Sequence, residues 1–524
     1  MRPHHSESHE PDGAVGVALS TIARELGNSS VIGDASTRVL DVQQDSRKVK
    51  PGDLFVSRPG AASDAQQAQH VRQALERGAR AILRATGVTS GETSTPTIEV
   101  EPTRLRAATG VAASAVHGHP SFALDVIAVT GTNGKTTSTW LLASALNHLQ
   151  KASDRGLTMS TSSCAIVGTV EARFGDRTLP TSHTTPDGDE LARLLAWARH
   201  LGAHQVALEA SSHALDQDRL AGTRVRAAAF TNLTQDHLDY HSTMEAYFQA
   251  KRRLFTELQP GFAAIVVDGE YGRRLANETR VPKLTVAIES RDADVHVLAA
   301  KFSEAGIEAE LATPSGRATL TSALVGPHNL SNLALSLGVM LGLNFPLDPA
   351  IAALSVAEPA RGRLQRASAP GLDDITVLVD YAHTPDALDR ALAALRPLTK
   401  GRLVCVFGCG GDRDATKRGP MGRAVLHGAD LAIVTSDNPR TEDPRAIVEQ
   451  ILDGLGEFDR IALHELDRRD RGVAVELDRA TAISESIAHA RAGDVVLIAG
   501  KGHEDYQIIG TDKRRFDDLE EAQR

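Results

Sequence analysis

The sequence predicts an α/β protein with three domains, and two observations support that prediction. At 524 residues the chain is too long for a single hydrophobic core. From about residue 123 onward, apolar runs of strand length alternate with helical segments, which is typical of mostly parallel sheets covered by helices on both faces. The composition, 41% hydrophobic and 24% charged, is that of a globular protein.

The first predicted domain is a small α/β domain covering residues 15–122. Short strand-like runs begin near Val39, Asp53 and Ala81, and an amphipathic helix is predicted from Val71 to Gly78. Residues 1–14 are rich in His, Ser and Glu and contain no apolar stretch. We therefore expect a disordered tail there and no secretory signal.

The second and third predicted domains cover residues 123–358 and 359–524. In the second, buried strands are predicted at 124–130, 205–209, 227–231 and 263–267, and helices at 138–149, 189–201 and 244–254. In the third, strands are predicted at 376–380, 402–407, 431–435 and 494–499, each followed by a loop rich in Gly, Asp, His or Arg. This pattern predicts a P-loop-type central domain and a Rossmann-like C-terminal domain.

The most informative motif runs from Gly131 to Thr137, between an apolar strand and a helix. Such a turn surrounds phosphate oxygens with backbone N–H groups, and Lys135 would contact the β- and γ-phosphates while the Thr136 hydroxyl holds Mg²⁺. The standard Walker pattern has a glycine where this chain has Val129, so the loop is a shortened variant. The motif predicts an ATP site; the alternative is an ordinary strand–helix turn.

Polar clusters follow two further strands of the second domain. Glu209 ends one strand, and His237 lies in an acidic, histidine-rich loop after the next. A loop histidine taken alone is more often structural, but beside a phosphate loop both residues are candidate ligands of a second divalent cation. Lys251 lies in a basic helical segment whose simplest interpretation is a solvated face.

Charged loops follow the strands of the third domain. Arg413 lies in one glycine-rich turn, Asp437 and Arg440 flank another loop, and Glu504 follows the last strand. Arginines can hold a carboxylate and acids an ammonium group, so these loops suit a zwitterion. A small amino acid is the expected ligand.

Composition argues against several classes of function. A net charge of −10 disfavours a nucleic-acid surface, and no apolar run approaches the roughly 20 residues that span a bilayer. Three cysteines cannot form a disulfide framework, so reduced thiols in a cytoplasmic protein are expected.

These motifs together resemble the Mur ligases of peptidoglycan synthesis, and within that family the members that add 2,6-diaminopimelate. The motif order matches from about Asp45 to the C-terminus, and includes segments at 131–137, 209–213, 232–241, 328–332, 380–385 and 500–506. The resemblance implies that ATP converts the carboxylate of UDP-N-acetylmuramoyl-L-alanyl-D-glutamate into an acyl phosphate, which the amine of meso-diaminopimelate attacks. Such an enzyme serves cell-wall synthesis, and through it cell shape, division and the cell cycle.

The resemblance also implies roles for individual residues. The first domain would bind UDP, the second ATP and the third the amino acid. Thr136, Glu209, His237 and Lys251 would hold Mg²⁺, with Lys251 carbamylated to N6-carboxylysine by CO₂, and Lys135 would stabilise phosphoryl charge. We further hypothesise that Arg252 and Arg253 favour the neutral Lys251 amine by charge repulsion. The nucleotide contacts would be Gly131, Thr132, Asn133, Gly134, Lys135, Thr136, Thr137, Asn329, Arg363 and Asp380.

The two other substrates would be held by further matched residues. His183 replaces the Asn often found before the Thr pair of the family, which leaves its role open. The UDP-muramoyl-dipeptide contacts would be Ser46, the stretch near Ala61, Thr184, Thr185, Ser211, Gln217 and Arg219. The diaminopimelate contacts would be Arg413, Asp437, Asn438, Pro439, Arg440, Gly500 and Glu504. Only small-molecule substrates are implied, and we expect a monomer.

Three alternatives remain at this point. A folylpolyglutamate synthase would lack the uridine block that begins at Asp45, and a lysine-adding ligase would lack Arg440. A nucleotide-switched binding protein would hydrolyse nucleotide without forming an amide. That last alternative leaves the charged loops of the third domain unexplained.

Overall fold

The computed structural model describes residues 16–58, 64–88, 94–153, 163–303, 306–368, 374–456 and 458–524. Their α/β fold confirms the predicted class. The described residues of Met1–Lys135, Gln150–Ile265 and Gly269–Lys283 form one compact unit, and those of Thr136–Leu149, Val266–Asp268 and Leu284–Arg524 form a second. The three domain boundaries stay a prediction. The predicted tail and the predicted contact near Ala61 lie outside the described residues.

The first unit begins with a small α/β layer. Its sheet runs in the order β2-β7-β6-β5-β4, parallel except for β2 at the edge. Helix α1 packs on it through Leu19, Ile22 and Leu26, whose spacing places them on one helical face. The elements are β1 (Val17–Ala18), α1 (Leu19–Leu26), β2 (Ser29–Ile32), β3 (Arg38–Val39), β4 (Val42–Gln43), β5 (Leu54–Ser57), α2 (Asp64–Glu76), β6 (Ala81–Ala85), β7 (Thr97–Val100) and α3 (Leu105–Val116).

The middle of the chain adds a larger sheet. In the first unit its parallel strands run β9-β12-β8-β13-β14, with β10 and β11 antiparallel beyond β9. Because β12, β8 and β13 are parallel neighbours, their carboxyl ends meet at one edge. The elements are β8 (Asp125–Thr130), α4 (Lys135–Ser153), β9 (Cys164–Val167), β10 (Ala172–Phe174), β11 (Arg177–Leu179), α5 (Gly188–His200), β12 (Gln205–Glu209), α6 (Ser212–Asp216), β13 (Ala227–Phe230), α7 (Leu238–His241), α8 (Met244–Thr256), β14 (Ala263–Val266) and α9 (Glu270–Glu278).

Three glycines form a tight joint inside the first unit. A Cβ placed on Gly110 of α3 would lie 2.3 Å from the Ala221 carbonyl oxygen. A Cβ on Gly188, at the start of α5, would lie 2.8 Å from Gly110 Cα, and one on Gly222 would lie 2.8 Å from the Gly110 carbonyl oxygen. Helices α3 and α5 therefore meet backbone against backbone, which only glycine allows.

The second unit contains an antiparallel meander that the sequence analysis did not predict. Strands β16, β17 and β18 pair antiparallel, and β15 pairs parallel with β16. Residues Ile307, Ala309 and Leu311 of β17 are buried in alternation with exposed neighbours, as expected of a sheet with one covered face. The elements are β15 (Lys283–Ala287), β16 (Val295–Ser303), β17 (Gly306–Thr313), β18 (Gly316–Ser322), α10 (Pro327–Gly342) and α11 (Leu347–Ser355).

The C-terminal part of the second unit has the Rossmann-like character that was predicted. Its sheet runs β19-β20-β24-β21-β22-β23, parallel except for β19, and the four predicted strands are β20, β21, β22 and β24. None of the described helices is both long and apolar enough to cross a bilayer. The elements are β19 (Gln365–Arg366), β20 (Thr376–Asp380), α12 (Pro385–Leu395), β21 (Leu403–Phe407), α13 (Arg418–Gly428), β22 (Leu431–Val434), α14 (Pro444–Leu452), β23 (Gly472–Val475), α15 (Arg479–Ala488), β24 (Val495–Ala499), β25 (Tyr506–Ile509), β26 (Asp512–Arg515) and α16 (Asp518–Gln523).

Candidate active site

The phosphate loop, residues 131–137, leaves the carboxyl end of β8 and leads into α4. Gly131 has φ +146°, and a Cβ there would lie 1.8 Å from Thr231 Oγ1, so no other residue fits. The loop is pinned to the chain after β13, because Thr132 N donates to the Asn232 carbonyl at 2.9 Å. The Lys135 ammonium folds back over the loop and donates to the carbonyls of Gly131 (2.9 Å) and Thr132 (2.8 Å).

Lys251 lies beneath this loop. It projects from α8, is 1% exposed, and its Nζ donates to the Gly131 carbonyl at 2.8 Å. Burial, and then the positive charge of nearby Lys135, hold the pKa of Lys251 well below its usual range, although Asp236 acts in the opposite direction. The amine is therefore biased toward its neutral, nucleophilic form.

Our hypothesis about the two arginines that follow Lys251 was wrong in its assignment of the repelling charge. Arg252 is paired with Glu278, and Arg253 with Asp218 and Glu257. Their charges are compensated by these carboxylates. The like charge that lowers the pKa of Lys251 is that of Lys135, which the fold, and not the helix sequence, brings close.

Glu209 ends β12 in a setting rich in hydroxyl groups. Its carboxylate is buried and accepts hydrogen bonds from Thr169, from the backbone N at 2.8 Å and from Oγ1 at 3.1 Å. Thr184 Oγ1 lies 3.2 Å from Thr169 Oγ1, and Thr185 Oγ1 donates to the Glu209 carbonyl at 2.7 Å. Ser211 lies 3.2 Å from Thr185. The structure thus brings Glu209, Thr184, Thr185 and Ser211 together.

His237 lies in an aromatic cluster after β13. It is exposed, has φ +51°, and its ring centroid lies 5.0 Å from that of His213. The His213 ring in turn lies 4.1 Å from Tyr240 and 5.5 Å from His241. Within the described ranges, no group of three or more His, Cys, Asp and Glu residues is arranged as a metal site.

A pocket rich in arginine, the arginine pocket, lies where the small layer meets the larger sheet of the first unit. Asp187 bridges two of its arginines: Arg58 Nη2 lies 3.1 Å and Arg219 Nε 3.0 Å from its carboxylate oxygens. Ser46, a predicted uridine contact, is buried and donates to Gln73 at 2.7 Å. The pocket is lined by Gln44, Arg58, Arg106, Thr109, Asp187, Gly188, Gln217 and Arg219.

Gln217 and Arg219 were predicted as contacts of the UDP-muramoyl-dipeptide, whereas Arg58 and Arg106, which share this pocket, were not predicted. Buried polar atoms mark the pocket as incomplete, since Gln44 Oε1 and Arg58 Nε have no hydrogen-bond partner. No sequence motif contains Arg58 or Arg106, so only the fold could reveal them.

Two of the predicted nucleotide contacts in the second unit lie close together. Asp380 ends β20, is buried, and accepts hydrogen bonds from the backbone N of Leu364 (2.7 Å) and Ala382 (2.9 Å). Burial raises the pKa of Asp380, against the charge of neighbouring Arg363. The Arg363 guanidinium lies 5.1 Å from the centroid of the Tyr381 ring.

Asn329 is placed differently. It is buried in α10, where its side chain donates to the Val325 carbonyl at 2.8 Å.

The charged loops are residues 408–414, 437–440 and 500–504 of the second unit. Gly411 N donates to the Asn438 carbonyl at 2.9 Å, and Arg440 Nη1 donates to the Gly411 carbonyl at 2.8 Å. A Cβ on Gly410 would lie 3.1 Å from Arg440 Nη1 and 3.8 Å from Arg413 Cγ. Both predicted carboxylate-binding arginines therefore approach one glycine.

The predicted ammonium-binding residues also come together. Asn438 Nδ2 donates to Glu504 Oε2 at 2.8 Å, and a Cβ on Gly500 would lie 3.2 Å from Asp437 Oδ2. Asp437 Oδ1 is buried and accepts no hydrogen bond. A buried carboxylate oxygen that accepts no hydrogen bond favours binding of a cationic donor. Pro439, between these residues, is buried.

Two buried arginines support these loops and were missed by the sequence analysis. Arg418 is 1% exposed, pairs with Glu442 at 2.9 Å, and donates to the Gly410 carbonyl at 3.2 Å. Arg479 and Asp518 form a fully buried ion pair at 2.7 Å. The partners of both arginines lie far along the chain, so no local sequence pattern predicts these two ion pairs.

Residues 129–340 match the family model of the Mur ligase middle domain. Residues 362–502 match that of the Mur ligase glutamate ligase domain. The chain belongs to the Mur ligase family.

Individual relatives of this Mur ligase are similar over nearly its whole length. A protein of Gloeobacter violaceus named UDP-N-acetylmuramoyl-L-alanyl-D-glutamate–2,6-diaminopimelate ligase is 44% identical, over 92% of this chain and 93% of its own. A protein of the same name from Pseudomonas aeruginosa is 42% identical, over 93% and 94%. A solved structure of a ligase of that name aligns with TM-score 0.69 and 32% identity, covering 97% of this chain and 98% of its own.

Membership in the Mur ligases confirms the resemblance found in the sequence, and with it the enzyme class, an ATP-dependent ligase. The middle-domain match contains the phosphate loop, Glu209, His237 and Lys251. The second match contains the charged loops up to Gly502, and Glu504 lies just beyond it. The roles of the individual residues stay predictions.

Proposed function

We propose that this Mur ligase joins meso-2,6-diaminopimelate to UDP-N-acetylmuramoyl-L-alanyl-D-glutamate, with conversion of ATP to ADP and phosphate. The relatives that carry this activity in their names support it. The observation that carries the proposal is the pair of arginines at Gly410 beside the acids Asp437 and Glu504. Such an arrangement offers separate places for a carboxylate and an ammonium group.

The first half of the reaction belongs to the phosphate loop. A carboxylate oxygen of the dipeptide attacks the γ-phosphorus, the bond to ADP breaks, and ADP leaves. The loop N–H groups and Lys135 bind the phosphate oxygens, so that Lys135 exchanges the carbonyls of Gly131 and Thr132 for the phosphoryl group. Positioning and charge stabilisation supply most of the catalysis of such a transfer.

The second half joins the amino acid. The neutral amine attacks the acyl carbon, the tetrahedral intermediate expels phosphate, and the amine proton passes to solvent or phosphate. Phosphorylation makes this step possible because phosphate is a far better leaving group than hydroxide. No covalent bond to the protein is required.

We propose Thr136, Glu209, His237 and a carbamate on Lys251 as the residues that hold Mg²⁺. The carboxylate of Glu209 among threonine hydroxyls fits this ion, which prefers oxygen ligands. Bound there, Mg²⁺ supplies positive charge to the phosphoryl oxygens. The lowered pKa of Lys251 supports the carbamate, since only a neutral amine adds CO₂. Once formed, the carbamate would place a negative charge near Lys135.

Amino-acid choice rests on the charged loops in this proposal. Arg440 and Arg413 pair with the distal carboxylate that diaminopimelate has and lysine lacks. Asp437, Asn438, Gly500 and Glu504 hold an ammonium group. Binding lysine would leave the arginines without their anion, at a cost of several kcal/mol.

The UDP-linked substrate would lie along the other site residues of the first unit. We propose that Thr184, Thr185 and Ser211 contact its dipeptide part, and that Gln217 and Arg219 contact it from the arginine pocket. Its anionic groups suit that pocket, which has three arginines and one aspartate.

The setting proposed for the reaction is the cytoplasm, with the protein as a monomer. In that setting it would supply wall precursors for cell shape and division. Sedimentation equilibrium at micromolar protein concentration would check the monomer, and a dimer mass would contradict it.

The test is phosphate release from ATP with the UDP-muramoyl-dipeptide and either diaminopimelate or lysine. We expect release that requires both substrates, with kcat/KM for diaminopimelate at least about a hundredfold above that for lysine. The joined product is identified by mass. Equal rates with both amino acids would contradict the substrate, and release without amide formation would contradict the reaction.

A further inference from the structure

Lys501 is a fully buried lysine among the residues proposed to bind the amino acid. Its side chain is 0% exposed. Its Nζ lies 3.3 Å from Asn438 Oδ1, 3.4 Å from Glu504 Oε2 and 3.7 Å from Asp437 Oδ1. One ammonium group therefore touches all three side chains proposed to receive the ligand's own ammonium.

The neighbouring loops hold Lys501 in this place. Asn438 Oδ1 also accepts from Ile508 N at 2.9 Å, and Gln507 donates to the Asp437 carbonyl at 2.9 Å. The face of Tyr506 lies 5.4 Å from Lys501 Nζ. Because both the lysine and its acceptors are fixed by packing, the ammonium cannot leave for solvent without breaking the loops apart.

The charges around Lys501 do not balance. Asp437 and Glu504 each carry a negative charge, and Lys501 compensates one of them. The two buried arginines that support these loops are already paired, Arg479 with Asp518 and Arg418 with Glu442. One negative charge remains, and Asp437 Oδ1 is buried without a hydrogen bond.

We propose that Lys501 is a positioning and specificity residue of the amino-acid site. It holds Glu504 and Asn438 in place and compensates one of the two acids beside it, so that these acids receive one ammonium group and no more. The inference rests on the proposed function, because it assumes that these loops bind the amino acid. It concerns a residue outside the set predicted from the sequence.

The uncompensated charge beside Lys501 predicts a change in selectivity that a loss of packing would not produce. Without Lys501 the pocket has two uncompensated acids and favours the ligand with more positive charge. Lysine carries a net charge of +1 and diaminopimelate none. Neutralising Lys501 should therefore move the preference toward lysine, whereas a loosened loop would weaken both ligands alike.

The experiment compares Lys501→Met with wild type and with Lys513→Met. Lys513 lies over the same Tyr506 ring, at 3.8 Å, but is exposed, so it serves as the matched control. For Lys501→Met we expect the KM for diaminopimelate to rise about tenfold or more, with the KM for ATP within about twofold of wild type. We also expect the lysine-to-diaminopimelate ratio of kcat/KM to rise roughly tenfold. Lys513→Met should change none of these.

A second variant keeps the proposal testable if Lys501→Met does not fold. Lys501→Arg keeps the charge and should restore the wild-type ratio, even if its KM is raised by the larger group. An unchanged ratio in Lys501→Met, or an equal loss for both amino acids, would overturn the proposal. If wild type itself failed to use diaminopimelate, the proposed function would fail; a failure confined to the variants rejects only the role of Lys501.

Discussion

The phosphate loop and the charged loops both present charge to a substrate, but they are built differently. At the phosphate loop, Lys135 and Lys251 donate hydrogen bonds to backbone carbonyl oxygens. In and around the charged loops, Lys501 is paired with nearby Glu504 and distant Asp437, and Arg418 and Arg479 with carboxylates from distant parts of the chain. The first site presents cations to a polyanion. The second presents nearly equal numbers of positive and negative side chains to a zwitterion.

The difference indicates what each site should be sensitive to. Carbonyl partners are easily exchanged for a stronger anion, so the phosphate loop should control whether any turnover occurs. Paired charges fix position and net charge, so the charged loops should control which amino acid is used. Substitutions in the two regions should therefore fail in different ways.

The largest effect is expected from Lys135→Ala. It removes the cation proposed to contact the transferred phosphoryl group, and kcat should fall about a thousandfold with either amino acid. Phosphate release measures this. Lys301→Ala, in an 82% exposed lysine on β16, is the control and should retain full activity. Phosphate release at the wild-type rate in Lys135→Ala would reject the ATP assignment.

Lys251→Ala should come next, with activity reduced to near background if the carbamate is required. An added short-chain carboxylic acid should restore part of the activity by occupying the space of the lost side chain. A readout independent of turnover is the carbamate carbon itself: wild type incubated with ¹³C-bicarbonate should give a carbamate NMR signal that the variant lacks. Full activity of the variant, or no signal in wild type, would refute the carbamate.

Arg440→Ala should act on the amino acid alone. We expect the KM for diaminopimelate to rise about a hundredfold, because an ion pair with its distal carboxylate is lost, while the KM for ATP stays nearly unchanged. The control is Arg445→Ala, an exposed arginine at the start of α14. If discrimination against lysine survived in Arg440→Ala, the pocket assignment would be wrong.

Arg58→Ala tests the arginine pocket. Asp187 would lose one of its two arginine partners, and the KM for the UDP-linked substrate should rise about tenfold. The KM for diaminopimelate should not change. The measurement is the initial rate against the concentration of the UDP-linked substrate, and an unchanged KM would exclude Arg58 from its binding.

Asp494→Asn should have the smallest effect on turnover and a clear effect on stability. Asp494 pairs with Arg402 at the strand ends away from the charged loops, with 1% and 8% of their side chains exposed. Leaving Arg402 unpaired should cost about 3–5 kcal/mol of unfolding free energy, measured in urea. Activity at 25 °C should stay within about twofold of wild type.

The loss of unfolding free energy in Asp494→Asn should depend on pH in a direction set by the pKa of Asp494. Burial alone would raise the pKa of Asp494, but hydrogen bonds and charge from Arg402 outweigh it and lower the pKa below its usual 3.8. The ionised pair is therefore fully present above about pH 4 and is lost as the pH falls through the folded-state value. The stability gap between wild type and Asp494→Asn should narrow below pH 4, and a gap that widened there would contradict the assignment.

Local patterns were enough to predict much of this molecule. The strands at Gln205–Glu209 and Thr376–Asp380 were predicted to the residue, since continuous apolar runs mark buried parallel strands. The phosphate loop was also readable, because its glycines and Lys135 are adjacent in sequence. The antiparallel strands β16 to β18 were missed, since their polar alternation is weaker than a buried run.

What could not be predicted depends on contacts between distant segments. The low pKa of Lys251 comes first from burial and then from the charge of Lys135, which is far away in sequence, whereas the adjacent Arg252 suggested the wrong cause. Arg58 meets Asp187, and Lys501 meets Asp437, only after folding. Residue type and spacing report chemistry within one loop; they do not report which loops become neighbours.

The joint of Gly110, Gly188 and Gly222 has a consequence for inhibition and for natural variation. A methyl group at any of the three would push α3 away from the start of α5 or from the 221–222 loop, since the nearest backbone atoms already lie at 2.3–2.8 Å from a Cβ placed there. These three positions should therefore not accept natural substitutions. A compound that bound at this joint and separated its backbone segments would distort the arginine pocket without resembling any substrate. Single substitutions that confer resistance to such a compound should be rare.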